Sequence, residues 1–174
     1  MNIHKIHDLS DNDVVTILKT GLKHVSEDEI NNYSDNASHN PANLFYLLAS
    51  GRYARGSYYI IENNGEYVAS SGWNMYNADT AIVLSRSYVS IPYRTSYIMG
   101  KKLLPLMLDA CKDVPKVWIT CNEHNKTIYE WFTRSNSGKK GSISQNWPEI
   151  YTKFKPIGKK IIYYTEQYVA ELQK

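Results

Sequence analysis

The chain has 174 residues, 43% hydrophobic and 21% charged, a balance that excludes wholesale disorder and suits one domain of the usual ~100–200 residues, here 1–174. No run reaches the ~18 consecutive apolar residues of a membrane-spanning helix, and Met1-Asn2-Ile3-His4-Lys5 leads into polar residues without an apolar leader, so a soluble cytoplasmic protein is expected. Net charge is +3, yet residues 1–93 carry 6 Lys/Arg against 10 Asp/Glu and residues 94–174 carry 14 against 7, which turns the second half toward a polyanion, either a phosphorylated cofactor or nucleic acid.

The first third reads as helical. Asp11 or Asp13 caps a helix over Val14–Lys23, with Val14, Ile17, Leu18 and Leu22 on one face. Ser26 and Glu29 form a capping-box pattern, and Pro41 opens a short helix, Ala42–Ala49, ended by Gly51. Strands follow. Tyr58–Ile61 and Tyr67–Met75 flank the hairpin signal Asn63-Asn64-Gly65-Glu66, and Ala81–Tyr93 alternates, with Val83, Ser85, Ser87, Val89 and Ile91 on one face.

Next comes a helix over Tyr97–Cys111 with an apolar stripe of Ile98, Leu103, Leu104, Met107, Leu108 and Cys111, kinked at Pro105. Val117–Cys121 reads as a strand buried on both faces, and Asn125–Arg134 as a helix. Strand–helix–strand–helix predicts a right-handed crossover between parallel strands. Residues 135–144 form a basic loop, and Ile150–Lys155 with Lys160–Thr165 a closing hairpin turning at Pro156-Ile157-Gly158. Cys111 and Cys121 are too few for a disulfide framework or a zinc site; buried reduced thiols or one disulfide are the options. His4 and His7 have no Cys/His cluster to join, so no metal is expected.

Chemistry concentrates at Val89-Ser90-Ile91-Pro92-Tyr93-Arg94-Thr95-Ser96-Tyr97-Ile98-Met99-Gly100-Lys101-Lys102. A strand ends, a turn follows, and a helix begins with its N–H groups unpaired. Such a terminus attracts phosphate, and Arg94, Lys101 and Lys102 add full positive charges.

This stretch, with Asn122–Phe132, resembles the GNAT superfamily of N-acetyltransferases. Its members carry a Val, an Arg or Gln five residues later, and a Gly-x-Gly/Ala turn opening a helix with a Leu-Leu pair. Val89, Arg94 and Leu103-Leu104 match these, and Asn122 with Tyr129-Glu130 matches a second motif, an Asn followed seven residues on by Tyr-Glu. The family's two glycines fall at Tyr97 and Met99, with Gly100 as the nearest glycine, and Thr133-Arg134 stands where the family has Gly-Phe.

The resemblance implies an α+β, GNAT-like acyl-CoA N-acyltransferase fold: a central mixed, mostly antiparallel sheet, one parallel β-α-β crossover and flanking helices. It implies acetyl-CoA as co-substrate and direct attack of a primary amine on its thioester. Pantetheine would run along Val89 and Ile91. Arg94, Thr95, Ser96, Tyr97, Ile98, Met99, Gly100 and Lys101 would hold the pyrophosphate, and Asn122 the cofactor. Tyr129 would protonate the departing thiolate. Base candidates are Glu62, Glu66, Asp79, Glu123 and His124. Partners would be acetyl-CoA and a small-molecule or peptide amine, with a homodimer as an option and no membrane. The alternatives are a catalytically inactive GNAT-like binding module and a single-stranded nucleic-acid-binding protein using Trp118, Trp131 and Trp147.

Overall fold

Asn64-Gly65 is the sharpest local signal in the chain, and it turns as expected. Both residues are left-handed (φ 51 and 83), joining β2 (Gly56–Asn63) to β3 (Glu66–Met75) as a type I′ turn requires. The computed structural model describes residues 1–22, 48–96, 98–122, 126–134 and 153–173. With β1 (Asn2–Lys5), β4 (Thr80–Val89), β5 (Lys116–Cys121), β6 (Lys153–Ile162) and β7 (Thr165–Gln173), these strands form one mixed sheet of order β1-β2-β3-β4-β5-β7-β6. Pairing is parallel at β4–β5 and antiparallel at β1–β2, β2–β3, β5–β7 and β6–β7. The chain divides into two compact units, Met1–Asn74 with Arg86–Met99, and Met75–Ser85 with Gly100–Lys174.

In the first unit α1 (Asp11–Leu22) starts earlier than expected. Its cap is Ser10, whose Oγ accepts the Asp13 N–H at 3.1 Å; Asp11 and Asp13 lie in the first turn, where a negative charge suits the helix dipole. Val14, Ile17 and Leu18 are buried as expected, packed with Ile6, Ile60 and the rings of Tyr53, Tyr58, Tyr67 and Tyr88. The four-residue β1 is a strand that its sequence does not announce; it pairs with β2 from Asn2↔Glu62 to Lys5↔Tyr59. The helix expected at Ser26 falls outside the described residues, as does most of Ala42–Ala49; Gly51 (φ 79) closes the helical turn at Leu48.

In the second unit five of the six residues of the expected apolar stripe, Leu103, Leu104, Met107, Leu108 and Cys111, are fully buried. The helix itself differs. A π-helical turn, Met99–Leu103, precedes a short α2 (Leu104–Ala110) with Pro105 in its first turn. Proline's ring clashes with the carbonyl four residues back in an α-helix, and the wider turn avoids that clash, so Pro105 marks a change of helix type in place of a mid-helix kink. The closing hairpin also differs. It turns at Tyr163-Tyr164 (φ 47 and 69), while Pro156–Gly158 is an irregularity inside β6. β6 is the outer strand of the sheet, the place where a proline is tolerated. After β5 comes α3 (Lys126–Arg134); Phe132 meets Phe154 of β6 edge to face at 6.3 Å. Among the described residues, no helix is long and apolar enough to cross a membrane.

Candidate functional site

β4 does not keep the alternation its sequence suggests. Leu84 (φ 55) and Arg86 (φ 53) are both left-handed, and burial runs unbroken over Thr80–Val83 before four half-buried residues. A strand cannot hold a period of two through two such residues. The parallel ladder covers only Thr80↔Lys116, Ala81↔Val117 and Ile82↔Trp118. Beyond it the Leu84 N–H points to the sulfur of Met107 at 3.4 Å, and Ile119, Thr120 and Cys121 pair with β7. In this unit, therefore, the two parallel strands part immediately after Ile82 and Trp118. In open α/β arrangements ligands bind beyond the carboxyl ends of parallel strands, the end toward which this opening lies.

In the first unit, β4 runs on to Val89. The Ser90 N–H donates to the Val68 carbonyl at 2.8 Å, and the Tyr93 N–H to the Ser90 carbonyl at 2.9 Å, which begins a 3₁₀ turn over Ile91–Ser96. Val89 and Arg94, singled out by their five-residue spacing, are in direct contact: Arg94 Nε donates to the Val89 carbonyl at 3.0 Å. The guanidinium carbon lies 5.5 Å from the centroid of the Tyr88 ring. Arg94 and Ile91 are exposed. Between Val89 and Ile91, Ser90 Oγ is fully buried with no hydrogen-bond partner among the described residues. Thr95 and Ser96 end the 3₁₀ turn, and Tyr97 lies outside the described residues. Ile98 is buried and Met99 half-buried.

In the second unit, Gly100 is buried and Lys101 and Lys102 are exposed on the π-helical turn. Asn122 is exposed just after β5. Tyr129, on α3, is 7% exposed. Its hydroxyl donates to the Val169 carbonyl at 3.2 Å, and its ring lies 5.7 Å from that of Tyr168. Burial, then Cys121 and Tyr168, push its pKa above the ordinary tyrosine value. Tyr129 thus holds its proton throughout the neutral range, as a general acid must. Cys121 and Tyr168, paired across β5 and β7, are neighbours of Tyr129 that the sequence did not reveal, because β7 is remote in the chain.

The carboxylates sort differently. Glu62 accepts hydrogen bonds from Asn2 Nδ2 at 2.6 Å, the Gly65 N–H at 2.7 Å and His4 at 3.4 Å. The Asn2 and Gly65 bonds lead in holding its pKa below the ordinary carboxylate value, against the opposing effect of burial. A carboxylate stabilised in this way is a poor base and ties β1 to the hairpin instead. Asp79 accepts from Thr80 Oγ1 at 2.8 Å and pairs with Lys116 at 3.8 Å, at the start of β4, the end away from the opening. Glu66 is exposed; Glu123 and His124 lie outside the described residues. Trp118, considered for base stacking, is buried with its N–H on Glu171 at 2.9 Å; the Trp131 side chain and Trp147 lie outside the described residues. Among the described residues no group of His, Cys, Asp and Glu could hold a metal ion.

No protein-family model matches the chain, and no curated protein matches it in sequence. Solved structures do match. The PaiA N-acetyltransferase from Thermoplasma acidophilum, in complex with coenzyme A, is similar over 100% of both chains, with a TM-score of 0.60 and 13% identity. The ribosomal L7/L12 alpha-N-protein acetyltransferase RimL, also with coenzyme A, is similar over 97% of this chain and 91% of its own, with a TM-score of 0.60 and 12% identity. The ribosomal-protein-alanine N-acetyltransferase from Brucella melitensis is similar over 98% of both, with a TM-score of 0.58 and 12% identity. At such identities the likeness is one of fold, and the fold is that of the GNAT N-acetyltransferases.

Proposed function

We propose that this chain is a single-domain, cytoplasmic N-acetyltransferase that moves an acetyl group from acetyl-CoA to a primary amine. The observation that carries the reading is the parting of β4 from β5 after three residue pairs, with left-handed Leu84 just beyond the last pair and Tyr129 on the helix that follows β5. Shared fold with N-acetyltransferases solved with coenzyme A supports it. In this reading Val89 and Ile91 flank the pantetheine arm. The orphaned Ser90 hydroxyl between them gives a polar arm a hydrogen-bonding partner. Arg94, Thr95, Ser96, Tyr97, Ile98, Met99, Gly100 and Lys101 hold the pyrophosphate with backbone N–H groups and positive charge, and Asn122 holds the cofactor after β5. Cys111 and Cys121 stand as thiols, outside any disulfide, which suits a reducing compartment.

The amine nitrogen attacks the thioester carbonyl carbon, and a backbone N–H of β4 steadies the charge on its oxygen. The C–S bond breaks, and the electron pair leaves on sulfur. The Tyr129 hydroxyl turns from the Val169 carbonyl and gives its proton to that thiolate; the new amide nitrogen loses its proton to water, and Tyr129 is reprotonated from solvent. A thermal-shift titration tests the binding half: acetyl-CoA at ~100 times its dissociation constant stabilises by ~2.7 kcal/mol, a rise of roughly 5–10 °C for a chain of this size. No shift at millimolar acetyl-CoA overturns the reading. The inactive-module reading is favoured by one feature, the Arg94 side chain already bonded to Val89. It requires the same thermal shift without thiol release on any amine panel.

A further inference from the structure

Arg86 is left-handed (φ 53) without being glycine, a conformation that costs an L-residue roughly 1–2 kcal/mol and persists only where the surroundings impose it. The Arg86 carbonyl ends a chain of buried hydroxyls. Tyr58 Oη donates to the Arg86 carbonyl at 2.9 Å and lies 3.0 Å from Ser70 Oγ, which lies 2.6 Å from Tyr67 Oη. A carbonyl only accepts, so the direction of the whole chain follows: Tyr67 donates to Ser70, Ser70 to Tyr58, and Tyr58 to Arg86. Each hydroxyl in the middle then donates once and accepts once.

The chain spans three strands. Tyr58 stands on β2, opposite Gly72 of β3. A Cβ at Gly72 would meet Tyr53 Cε1 at 2.5 Å and Tyr58 Cδ2 at 2.7 Å, so the glycine leaves the space across β3 through which the Tyr58 ring reaches β4. Tyr67 is held in turn by α1, where Gly21 faces its ring and Thr20 Oγ1 accepts its N–H at 2.7 Å. Past Arg86 the path of β4 is pinned at two more points, Ser87 Oγ against Ser71 Oγ at 2.6 Å and the Ser90 N–H on Val68.

We infer that Tyr58, oriented by Ser70, is a positioning residue for acetyl transfer: through the Arg86 carbonyl it sets the backbone course of β4 into Val89 and Ile91. This rests on the acetyltransferase reading above. Tyr58 touches neither co-substrate nor amine in this scheme; it acts through the strand.

The experiment measures the acetyl-CoA dissociation constant by calorimetry and steady-state kinetics well below the melting temperature for wild type, Tyr58→Phe, and Tyr58→Phe combined with Arg86→Gly. Tyr58→Phe keeps the ring and removes only the donor. It is expected to lower kcat/KM for acetyl-CoA by ~10-fold or more, the scale of a small misplacement of reacting groups, with KM for the amine unchanged. Glycine takes positive φ without strain, so adding Arg86→Gly is expected to recover most of that loss, which a purely structural role of Tyr58 would not allow. Wild-type kcat/KM in Tyr58→Phe, or no recovery in the double variant, overturns the positioning role and leaves the acetyltransferase reading intact. A wild-type protein that does not bind acetyl-CoA overturns both. If Tyr58→Phe does not fold, Ser70→Ala removes only the hydroxyl that donates to Tyr58 and carries the same test, with a fall of roughly 3-fold expected and wild-type kinetics again overturning the inference.

Discussion

Replacing Tyr129 with Phe separates the two jobs its hydroxyl could hold. The hydroxyl makes one described hydrogen bond, to the Val169 carbonyl at 3.2 Å, and the ring keeps its packing against Tyr168 in the variant. Losing one neutral hydrogen bond costs about 1 kcal/mol, or a fall of roughly 2–4 °C in Tm for a chain of this size. A general acid contributes on the order of 100-fold or more to rate, about 3 kcal/mol of transition-state stabilisation. The two losses differ enough to be told apart in one preparation, by thermal melting and by thiol release from acetyl-CoA with an accepted amine. The expected result is a Tm within a few degrees of wild type, an acetyl-CoA thermal shift that persists, and a kcat reduced by two orders of magnitude. The pKa direction adds a second reading of the same variant: because burial raises the Tyr129 pKa, wild-type kcat has no alkaline fall due to this group at or below its ordinary value near 10. A variant with the small Tm loss and a kcat within threefold of wild type refutes the acid role and leaves Tyr129 as a packing residue.

Two predictions concern stability. The Glu62 carboxyl is held below its ordinary value of 4.5, chiefly by Asn2 and the Gly65 N–H, so its contribution is complete above 4.5 and is lost as pH falls through the lower folded value. Glu62→Gln is expected to cost about 1–3 kcal/mol at neutral pH and to flatten the acid limb of a urea-midpoint-against-pH curve; parallel wild-type and variant curves below pH 4.5 would refute the assignment. Tyr164 is left-handed (φ 69) and 102% exposed, so Tyr164→Gly removes strain without removing packing. A gain of roughly 0.5–1 kcal/mol in chemical denaturation is expected, after the entropy glycine adds to the unfolded chain; a loss of stability would show that Tyr164 makes a contact that matters.

The two hairpins show what made the fold legible and what did not. Asn64-Gly65 can take φ > 0 at low cost, so its turn is written locally. Tyr163-Tyr164 occupies the same kind of turn with residues that resist it, and the nearest conventional signal, Pro156-Ile157-Gly158, lies inside β6 instead. The second turn is imposed from outside. Tyr163 packs edge to face on Tyr76 at 5.4 Å, and Ile162 and Val169 lie in one buried cluster with Ile82 and Trp118. Tertiary packing selects the register, and the turn accepts the strain. β4 repeats the lesson. Its alternating sequence describes a plain strand, and neither Leu84 nor Arg86 advertises a left-handed backbone; the groups that meet the strand there, a tyrosine on β2 and a methionine on α2, come from elements remote in the chain.

The same distinction between local and remote causes runs through the stretch proposed as the site. Val89 and Arg94, five apart, make a direct contact. The missing glycines at Tyr97 and Met99 argue for a turn that a diphosphate approaches less closely, since glycine is what normally lets a backbone come near it. Pro105 acts in the opposite direction. It is accommodated by the π-helical turn Met99–Leu103, which is wider than an α-helical turn. Lys101 and Lys102 lie exposed on that turn. A proline inside an expected helix thereby coincides with a turn that carries two exposed positive charges, and in the proposed acetyltransferase reading those charges draw the diphosphate where glycines would have given it space.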